Sequence, residues 1–315
     1  MSAQPARMGV HLALMATMVV WALNISAVKW LTGVMDVMLV ASLRMVCACL
    51  ALGCLLFASR QSFPRWRGRT LVLACVSAVL MVYGNQALFA AAMERTSATN
   101  GALILALNPL LGGLLEALFF RKRMGMNFVA GTLLAVAGVC TVVLHQPRAN
   151  WLGPSVGDLL VLGSMLAFAF GAVVLQRLSR GTSPLAINVF LYLYGTLALL
   201  AHALVQVESP VSSVLALGWL DWGVIVFSGA LATALGAVAW GRGVAALGMG
   251  QASVYMSWVP VLGVGFGALL LNEPLTLWHL IGMVAVLLGT AISSMGLEWL
   301  PGKRKAVAAD RKLTQ

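Results

Sequence analysis

Charged residues are scarce in this sequence, and their scarcity decides the class of protein. Only 9% of the 315 residues are Asp, Glu, Lys or Arg, whereas 61% are hydrophobic and the mean hydropathy is +0.96. Soluble domains carry about 25% charged residues. Because so few polar groups could not cover a surface in water, the composition excludes a soluble fold and indicates an integral membrane protein.

The groups that carry chemistry in enzymes are few as well. The four histidines fall near the ends of apolar segments, and no pair of acids lies at the centre of one. No G-x-x-x-x-G-K-[S/T] nucleotide-binding pattern is present. The five cysteines lie inside apolar runs, without a histidine at zinc-ligand spacing and in an odd number that gives no disulfide framework. We therefore predict no catalytic residues, no metal site, no cofactor and no ATP-driven pump.

The apolar residues form long continuous runs. A spanning helix needs roughly 20 mostly apolar residues, whereas the strands of a membrane barrel alternate over about 10. The runs fit helices, and the first lacks the small-residue cleavage site of a signal peptide, so we expect it to be retained. We predict ten spanning helices, at residues 8–30, 37–58, 70–91, 97–119, 125–144, 156–176, 184–206, 219–240, 250–271 and 276–296.

The charges between the predicted helices are sorted by side. With the N-terminus in the cytoplasm, most of the 20 Lys and Arg residues fall in cytoplasmic loops, as the positive-inside rule requires. The net charge of +11 is therefore a topology signal for an inner (plasma) membrane protein with both termini in the cytoplasm, and we expect no nucleic-acid partner. The outer loops instead carry the acids Asp36, Glu94, Asp158, Glu208, Asp221 and Glu273.

One stretch of the sequence, residues 97–139, occurs a second time at an offset of 151. The aligned pairs include Pro109 and Pro260, Gly131 and Gly282, and Gly138 and Gly289. A repeat near half the chain length indicates two related halves, and five spans in each half would place the second upside down. We predict an all-α integral membrane protein of ten transmembrane helices, arranged as two inverted five-helix repeats around a central cavity. The repeats would be residues 1–148 and 149–299, with a basic cytoplasmic tail at 300–315.

These motifs resemble those of the EamA family of the drug/metabolite transporter superfamily. The resemblance covers nearly the whole chain and rests on the ten spans and on Asn108-Pro109-Leu110-Leu111, Val259-Pro260-Val261-Leu262 and Leu270-Leu271-Asn272-Glu273-Pro274-Leu275-Thr276. In the first half the last of these turns reads Phe120-Arg121-Lys122-Arg123-Met124, so the usual acid is absent. The resemblance implies a ten-helix transporter of small metabolites or drugs, most like the YddG-type exporters of aromatic amino acids.

Polar and aromatic side chains inside the predicted spans are the candidates for a substrate site. Such side chains need partners in hydrocarbon and therefore face the interior of the bundle. They could supply amide, hydroxyl and aromatic groups to a substrate, or hydrogen bonds between helices. Of the tryptophans only Trp21 and Trp258 fall mid-membrane, whereas Trp240 falls near a span end. The candidate cavity residues are Trp21, Asn24, Tyr83, Asn85, Gln86, Asn108, Tyr255, Ser257 and Trp258.

Two prolines lie near the centres of their predicted helices. Pro109 and Pro260 each remove a backbone donor, and their rings clash with the carbonyls of Leu105 and Met256. Irregular backbone at this depth is tolerated where it faces protein or a wet cavity. We predict that both prolines form hinges or line the transport pathway, with a packing kink as the alternative.

A single cation lies deep in the second predicted span. Arg44 is about 10 Å from the outer end at 1.5 Å per residue, and could reach the interface, pair with an acid or attract an anion such as a carboxylate. No acid lies at the midplane, so proton coupling has no support in the sequence, and exchange or facilitated diffusion fits as well.

Together these features predict a secondary transporter that exports small organic metabolites by alternating access. Amino acids, with aromatic ones favoured, and related drug-like compounds are the expected substrates. The partners are then a small-molecule substrate and the lipid bilayer, and we expect a monomer, with a dimer as the alternative. Two alternatives remain open. The protein could transport another class of metabolite, such as organic cations or nucleotide-type solutes, or it could be a membrane channel or receptor.

Overall fold

The computed structural model describes residues 3–120, 125–145, 155–176 and 182–298, and within those residues the secondary structure is helical with no β-strand. The α-helices are Ala3–Leu31, Val37–Ala58, Gly68–Ala78, Asn85–Arg95, Ala98–Leu105, Asn108–Phe120, Met126–Leu144, Val156–Gln176, Pro184–Gln206, Pro210–Leu215, Trp219–Val226, Gly236–Leu247, Met249–Met256, Trp258–Leu271 and Leu277–Glu298. Two π-helical segments, Val79–Gly84 and Phe227–Leu235, join their neighbours into longer helices.

Nine of the helical stretches in the described part of the chain are long and apolar enough to cross a membrane, and a tenth helix carries the shorter apolar stretch Leu277–Ser293. We number them spans 1 to 10 in chain order. The eighth runs from Trp219 to Leu247, so it is longer than the predicted 219–240. The predicted tail at 300–315, the basic turn at 121–124 and the boundary between the two halves at 148 and 149 lie outside the described residues.

The most extensive contacts between the spans are symmetric between the two halves: each recurs between the spans numbered five higher or five lower. Spans 2 and 7, 4 and 9, and 5 and 10 pack directly against each other. Span 1 packs on spans 8 and 9, and span 6 packs correspondingly on spans 3 and 4. The largest buried apolar cluster takes most of its residues from spans 1, 3, 4, 5 and 6 and one each from spans 2, 8 and 10, and it includes the fully buried Met93 and Ala102.

Spans 5 and 10 cross at paired glycines. A Cβ on Gly131 would lie 2.5 Å from the Ser293 amide nitrogen and would collide with the Gly289 carbonyl. A Cβ on Gly138 would lie 2.8 Å from the Gly282 carbonyl oxygen. Gly131 meets Gly289, and Gly138, further along span 5, meets Gly282, which comes earlier in span 10. The two spans are therefore antiparallel. Small residues allow such close backbone approach within a bilayer.

Four spans are interrupted near their middles. Spans 3 and 8 contain the π-helical segments, whose first residues, Val79 and Phe227, are 148 positions apart. Span 4 breaks at Ala106 and Leu107, and span 9 breaks at Ser257. The helices before these breaks end at Leu105 and Met256, the residues four positions before Pro109 and Pro260. Each break therefore falls where a proline ring opposes a helical carbonyl.

Candidate functional site

Arg44 stands at the centre of a buried polar cluster. Its side chain is 1% exposed, although it lies seven residues inside the helix Val37–Ala58. Its Nε donates to the Ser228 hydroxyl oxygen, and its Nη1 donates to Gln86 Oε1 at 3.3 Å. The Ser228 hydroxyl in turn donates to Asn24 Oδ1. Hydrogen bonds thus connect spans 1, 2, 3 and 8 through one guanidinium group.

Two amides extend these contacts to span 6. Gln86 Nε2 donates to Asn85 Oδ1 at 2.8 Å, and Asn85 Nδ2 donates to the Ser164 carbonyl oxygen at 2.9 Å. Asn24, Asn85 and Gln86 are each partly exposed, so a solute could reach their amide groups. We call the five side chains Asn24, Arg44, Asn85, Gln86 and Ser228 the Arg44 cluster.

The interrupted helices and one glycine position this cluster. Asn85 and Gln86 follow directly after the first π-helical segment, and Ser228 lies in the second. π-helical turns occur often at functional sites. Next to Ser228, a Cβ on Gly229 would collide with the Arg44 carbonyl oxygen and lie 2.7 Å from the Cys47 Cβ. Because residue 229 is glycine, span 8 can lie against span 2 at the level of Arg44.

The positive charge of Arg44 has only neutral partners in the described part of the chain. The one ion pair found there joins Arg95 Nη2 to Glu94 Oε2 at 3.2 Å, between exposed side chains. A guanidinium offers five N–H donors, and the bonds to Ser228 and Gln86 use two of them. Inserting an Arg at the centre of a spanning helix costs roughly 3 kcal/mol. Because no described acid offsets this cost for Arg44, a functional role is the better explanation for the charge at this depth.

Trp21 lies beside the cluster, one helical turn before Asn24. Its Nε1 donates to the Ala232 carbonyl oxygen at 2.9 Å, and its ring lies 5.8 Å from the ring of Trp240, centroid to centroid. A Cβ on Gly236 would come within 2.6 Å of the same Nε1. Trp240 is not among the predicted cavity residues because the predicted span ends there, whereas the helix continues for seven more residues, to Leu247.

Two predicted tyrosines bind histidines and make no hydrogen bond to the Arg44 cluster among the described contacts. Tyr83 Oη and His202 Nδ1 share a hydrogen bond of 2.9 Å between spans 3 and 7. His11 Nδ1 and Tyr255 Oη share one of 2.6 Å between spans 1 and 9. Both histidines fall near span ends in the sequence, which gives no sign of a partner more than 100 residues away.

The remaining predicted residues lie at the breaks in spans 4 and 9. Asn108 begins the helix after the first break, and Ser257 separates the two helices of span 9. Trp258 begins the second of these helices and is 47% exposed, while Pro260 is buried. The backbone of Pro109 is helical, and its side chain lies outside the described set. The hinge role of both prolines stays a prediction.

A second polar arrangement ties span 4 to the turn between spans 9 and 10. Glu273 accepts hydrogen bonds from Ala98 N at 2.7 Å, Thr99 N at 2.9 Å and Thr99 Oγ1 at 2.7 Å. The next two amides of the helix, of Asn100 and Gly101, donate to the Oγ and carbonyl oxygen of Ser97. The first four N–H groups of a helix have no partner inside it, and here all four are satisfied.

Spans 4 and 9 touch closely beside this carboxylate. A Cβ on Gly267 would lie 2.7 Å from Thr99 Oγ1, and one on Gly263 would lie 2.6 Å from the Ala102 Cβ. At the same end of the bundle, Thr96 Oγ1 donates to Asp158 Oδ1 at 2.6 Å and Lys29 Nζ donates to the Glu94 carbonyl oxygen at 3.4 Å. We call this end, with Glu94, Asp158 and Glu273, the acidic end.

Long apolar helices that enclose a few buried polar side chains are the architecture of a multi-span membrane protein. The chain belongs to the EamA-like transporter family, whose model matches residues 8–144 and 155–295. This confirms the family expected from the motifs, and it points to a transporter rather than an enzyme.

Similar proteins carry transporter names. The chain is 28% identical over 222 residues to "Uncharacterized transporter YyaM" of Bacillus subtilis (strain 168), covering 70% of this chain and 72% of that protein. It is 25% identical over 307 residues to "Probable amino-acid metabolite efflux pump" of Escherichia coli (strain K12), covering 92% and 94%. A solved structure described as "Crystal structure of protein" matches with a TM-score of 0.65 at 18% identity, over 90% of this chain and 95% of its own, which shows a shared fold.

Proposed function

We propose that this protein is a secondary transporter that exports small organic metabolites by alternating access, with amino acids, and aromatic ones in particular, as the favoured substrates. The observation that carries the proposal is the Arg44 cluster, which gathers polar side chains from spans 1, 2, 3 and 8 inside an otherwise apolar bundle. Trp21, one turn away, supplies an aromatic face. Polar groups at this depth typically mark a substrate pathway.

The proposal includes two inverted repeats, residues 1–148 and 149–299, around a central cavity in the inner membrane, with both termini cytoplasmic. Three observations support it. The family model matches two stretches of similar length. The π-helical segments and the helix breaks recur at corresponding positions. Gly131 contacts Gly289, and their counterparts 151 positions away in the other half, Gly282 and Gly138, contact each other in the same way.

Alternating access needs a seam that closes at one end while it opens at the other. The seam between spans 4 and 9 supports this proposal, because its two ends differ. It is closely packed at the acidic end, where Gly263 meets Ala102. Gly112, the counterpart of Gly263 in the first half, has no described atom within 4 Å of a Cβ position. The breaks before Pro109 and Pro260 lie in these two spans and are the proposed hinges.

The charge of the cluster favours some substrate classes over others. A buried guanidinium repels an organic cation and attracts an anionic or zwitterionic solute. The name of the Escherichia coli relative, an amino-acid metabolite efflux pump, agrees with the same class. A channel or receptor is the remaining alternative.

Counterflow in proteoliposomes tests the proposal. Vesicles containing purified protein and loaded with unlabelled amino acids should transiently accumulate external labelled phenylalanine, saturably, while protein-free vesicles should not. A receptor gives no accumulation, and a channel gives equilibration without saturation. Absence of counterflow across a panel of amino acids and aromatic metabolites, with and without a pH gradient, would overturn the proposed function.

A further inference from the structure

We infer that Arg44 binds the carboxylate of the transported solute, so that a solute with a free carboxylate is preferred over the corresponding amide. This inference rests on the proposed transport function and names the chemical group that its site recognises. The Arg44 cluster contains one charged side chain and four neutral ones, and no described acid lies within ion-pair distance of it. A solute that carries an anionic group would supply the missing counter-charge.

The cluster leaves the carboxylate-binding edge of Arg44 only weakly engaged. The Nε side is fixed, because the Ser228 hydroxyl accepts from Nε and itself donates to Asn24. The other side bonds Gln86 Oε1 at 3.3 Å, the longest hydrogen bond in the cluster. Arginine pairs with carboxylates through two parallel N–H groups. A carboxylate could therefore displace the Gln86 oxygen and take Nη1 and Nη2 together.

The surroundings of Arg44 also suit the rest of an amino acid. The amide groups of Asn24, Asn85 and Gln86 include oxygens that can accept hydrogen bonds from an ammonium group. Asn85 Oδ1 already accepts from Gln86 Nε2, so a displaced Gln86 would free that oxygen. Trp21 lies on the face of span 1 that carries Asn24, since residues three apart on a helix are neighbours. Its ring is placed to contact an apolar or aromatic side chain.

A purely structural role makes a different prediction. If Arg44 only joins spans 1, 2, 3 and 8, its replacement should weaken the bundle and reduce transport of every solute alike. If Arg44 binds a carboxylate, its replacement should reduce transport of solutes that have a carboxylate and leave transport of solutes without one unchanged. The discriminating measurement is therefore a ratio between two solutes within one variant.

The experiment compares phenylalanine with phenylalaninamide as competitors of labelled phenylalanine counterflow. The two differ at the carboxylate, and loss of a charge-assisted hydrogen-bonded pair costs on the order of 10- to 100-fold in affinity. We expect phenylalanine to compete better than its amide by that factor in the unmodified protein. Equal competition there would overturn the inference without any variant, while the proposed transport function would stand. No counterflow of any amino acid would instead reject the function itself.

Variants then assign the discrimination to Arg44. In Arg44→Gln, uptake of labelled phenylalaninamide should persist, and the ratio of the two Michaelis constants should fall towards one. Arg44→Lys keeps the charge without the paired N–H geometry and should give an intermediate ratio. Arg242→Gln, at an exposed position in span 8, is the matched control and should keep the ratio of the unmodified protein. An unchanged ratio in Arg44→Gln, or an equal loss of both solutes, would overturn the inference.

Discussion

Replacing Glu273 by alanine removes one carboxylate that serves three donors on span 4. Two of these are the first backbone amides of the helix Ala98–Leu105, and the third is the Thr99 hydroxyl. Ser97 satisfies the following two amides but reaches neither of the first two. In Glu273→Ala the amides of Ala98 and Thr99 would lie unpaired against Gly267, where there is little room for water.

Hydrogen bonds to charged groups contribute about 1.5–3 kcal/mol each. The three bonds share one carboxylate and are not additive, so we expect Glu273→Ala to lower the free energy of unfolding by roughly 3 kcal/mol. Glu273→Gln keeps one carbonyl oxygen but turns an NH₂ group towards a backbone N–H. Its loss should therefore be smaller, about 1–2 kcal/mol.

Thermal unfolding of the purified protein in detergent, followed by circular dichroism, measures both losses. Glu94→Gln is the matched control, because Glu94 is also a carboxylate at the acidic end but forms an exposed ion pair. Exposed pairs contribute about 0–1 kcal/mol, so this variant should melt close to the unmodified protein. A Glu273→Ala protein that melts with the unmodified one, or a Glu94→Gln protein that loses as much, would refute the reasoning.

Two further expectations concern packing and substrate contact, and one concerns topology. Gly229→Ala should destabilise the fold by about 1–3 kcal/mol through collision with the Arg44 carbonyl. Gly223→Ala, on the same span but with no described atom within 4 Å of its Cβ position, should be neutral or slightly stabilising in the same melting assay. Trp258→Ala, at a side chain 47% exposed, should melt normally but raise the Michaelis constant for phenylalanine more than that for alanine. Equal changes for both would remove Trp258 from the site. In a chain without its native cysteines, Lys122→Cys and Pro274→Cys should react with an impermeant maleimide from opposite sides of the membrane, and reaction from one side would exclude inverted repeats.

Features set by local chemistry could be predicted from the sequence. The helices before both breaks end at Leu105 and Met256, the two carbonyls that the proline rings oppose. Proline acts on the residue four positions earlier in any helix, so its effect needs no knowledge of the fold. The spans likewise follow from long apolar runs, and the described helices agree with them to within two residues except at the start of span 1 and the ends of spans 3 and 8.

Features set by contacts between distant residues could not be predicted. Asn24 and Arg44 were recognised as polar groups inside spans, but Ser228, which joins them, is one of many small residues in span 8. His202 lies near a span end in the sequence, and its hydrogen bond to Tyr83, 119 positions away, has no local signal. The π-helical segments have no compositional signal either, because Val79–Gly84 and Phe227–Leu235 consist mostly of small and apolar residues that also occur in the α-helices of the bundle.

The two ends of the seam between spans 4 and 9 carry different residues at corresponding positions. At the acidic end, Gly267 allows the close approach and Glu273 binds the helix Ala98–Leu105. The residues 151 positions earlier are Glu116 and Lys122, and a lysine has no acceptor for a backbone N–H. We therefore expect Glu273 to favour, within the proposed alternating-access cycle, the state that is closed at the acidic end. Hydrogen exchange of backbone amides measures this opening. In Glu273→Gln the exchange should become faster in Ala98–Leu105 and stay unchanged in Met126–Leu144. Equal exchange of Ala98–Leu105 in the variant and the unmodified protein would show that Glu273 does not hold the seam closed.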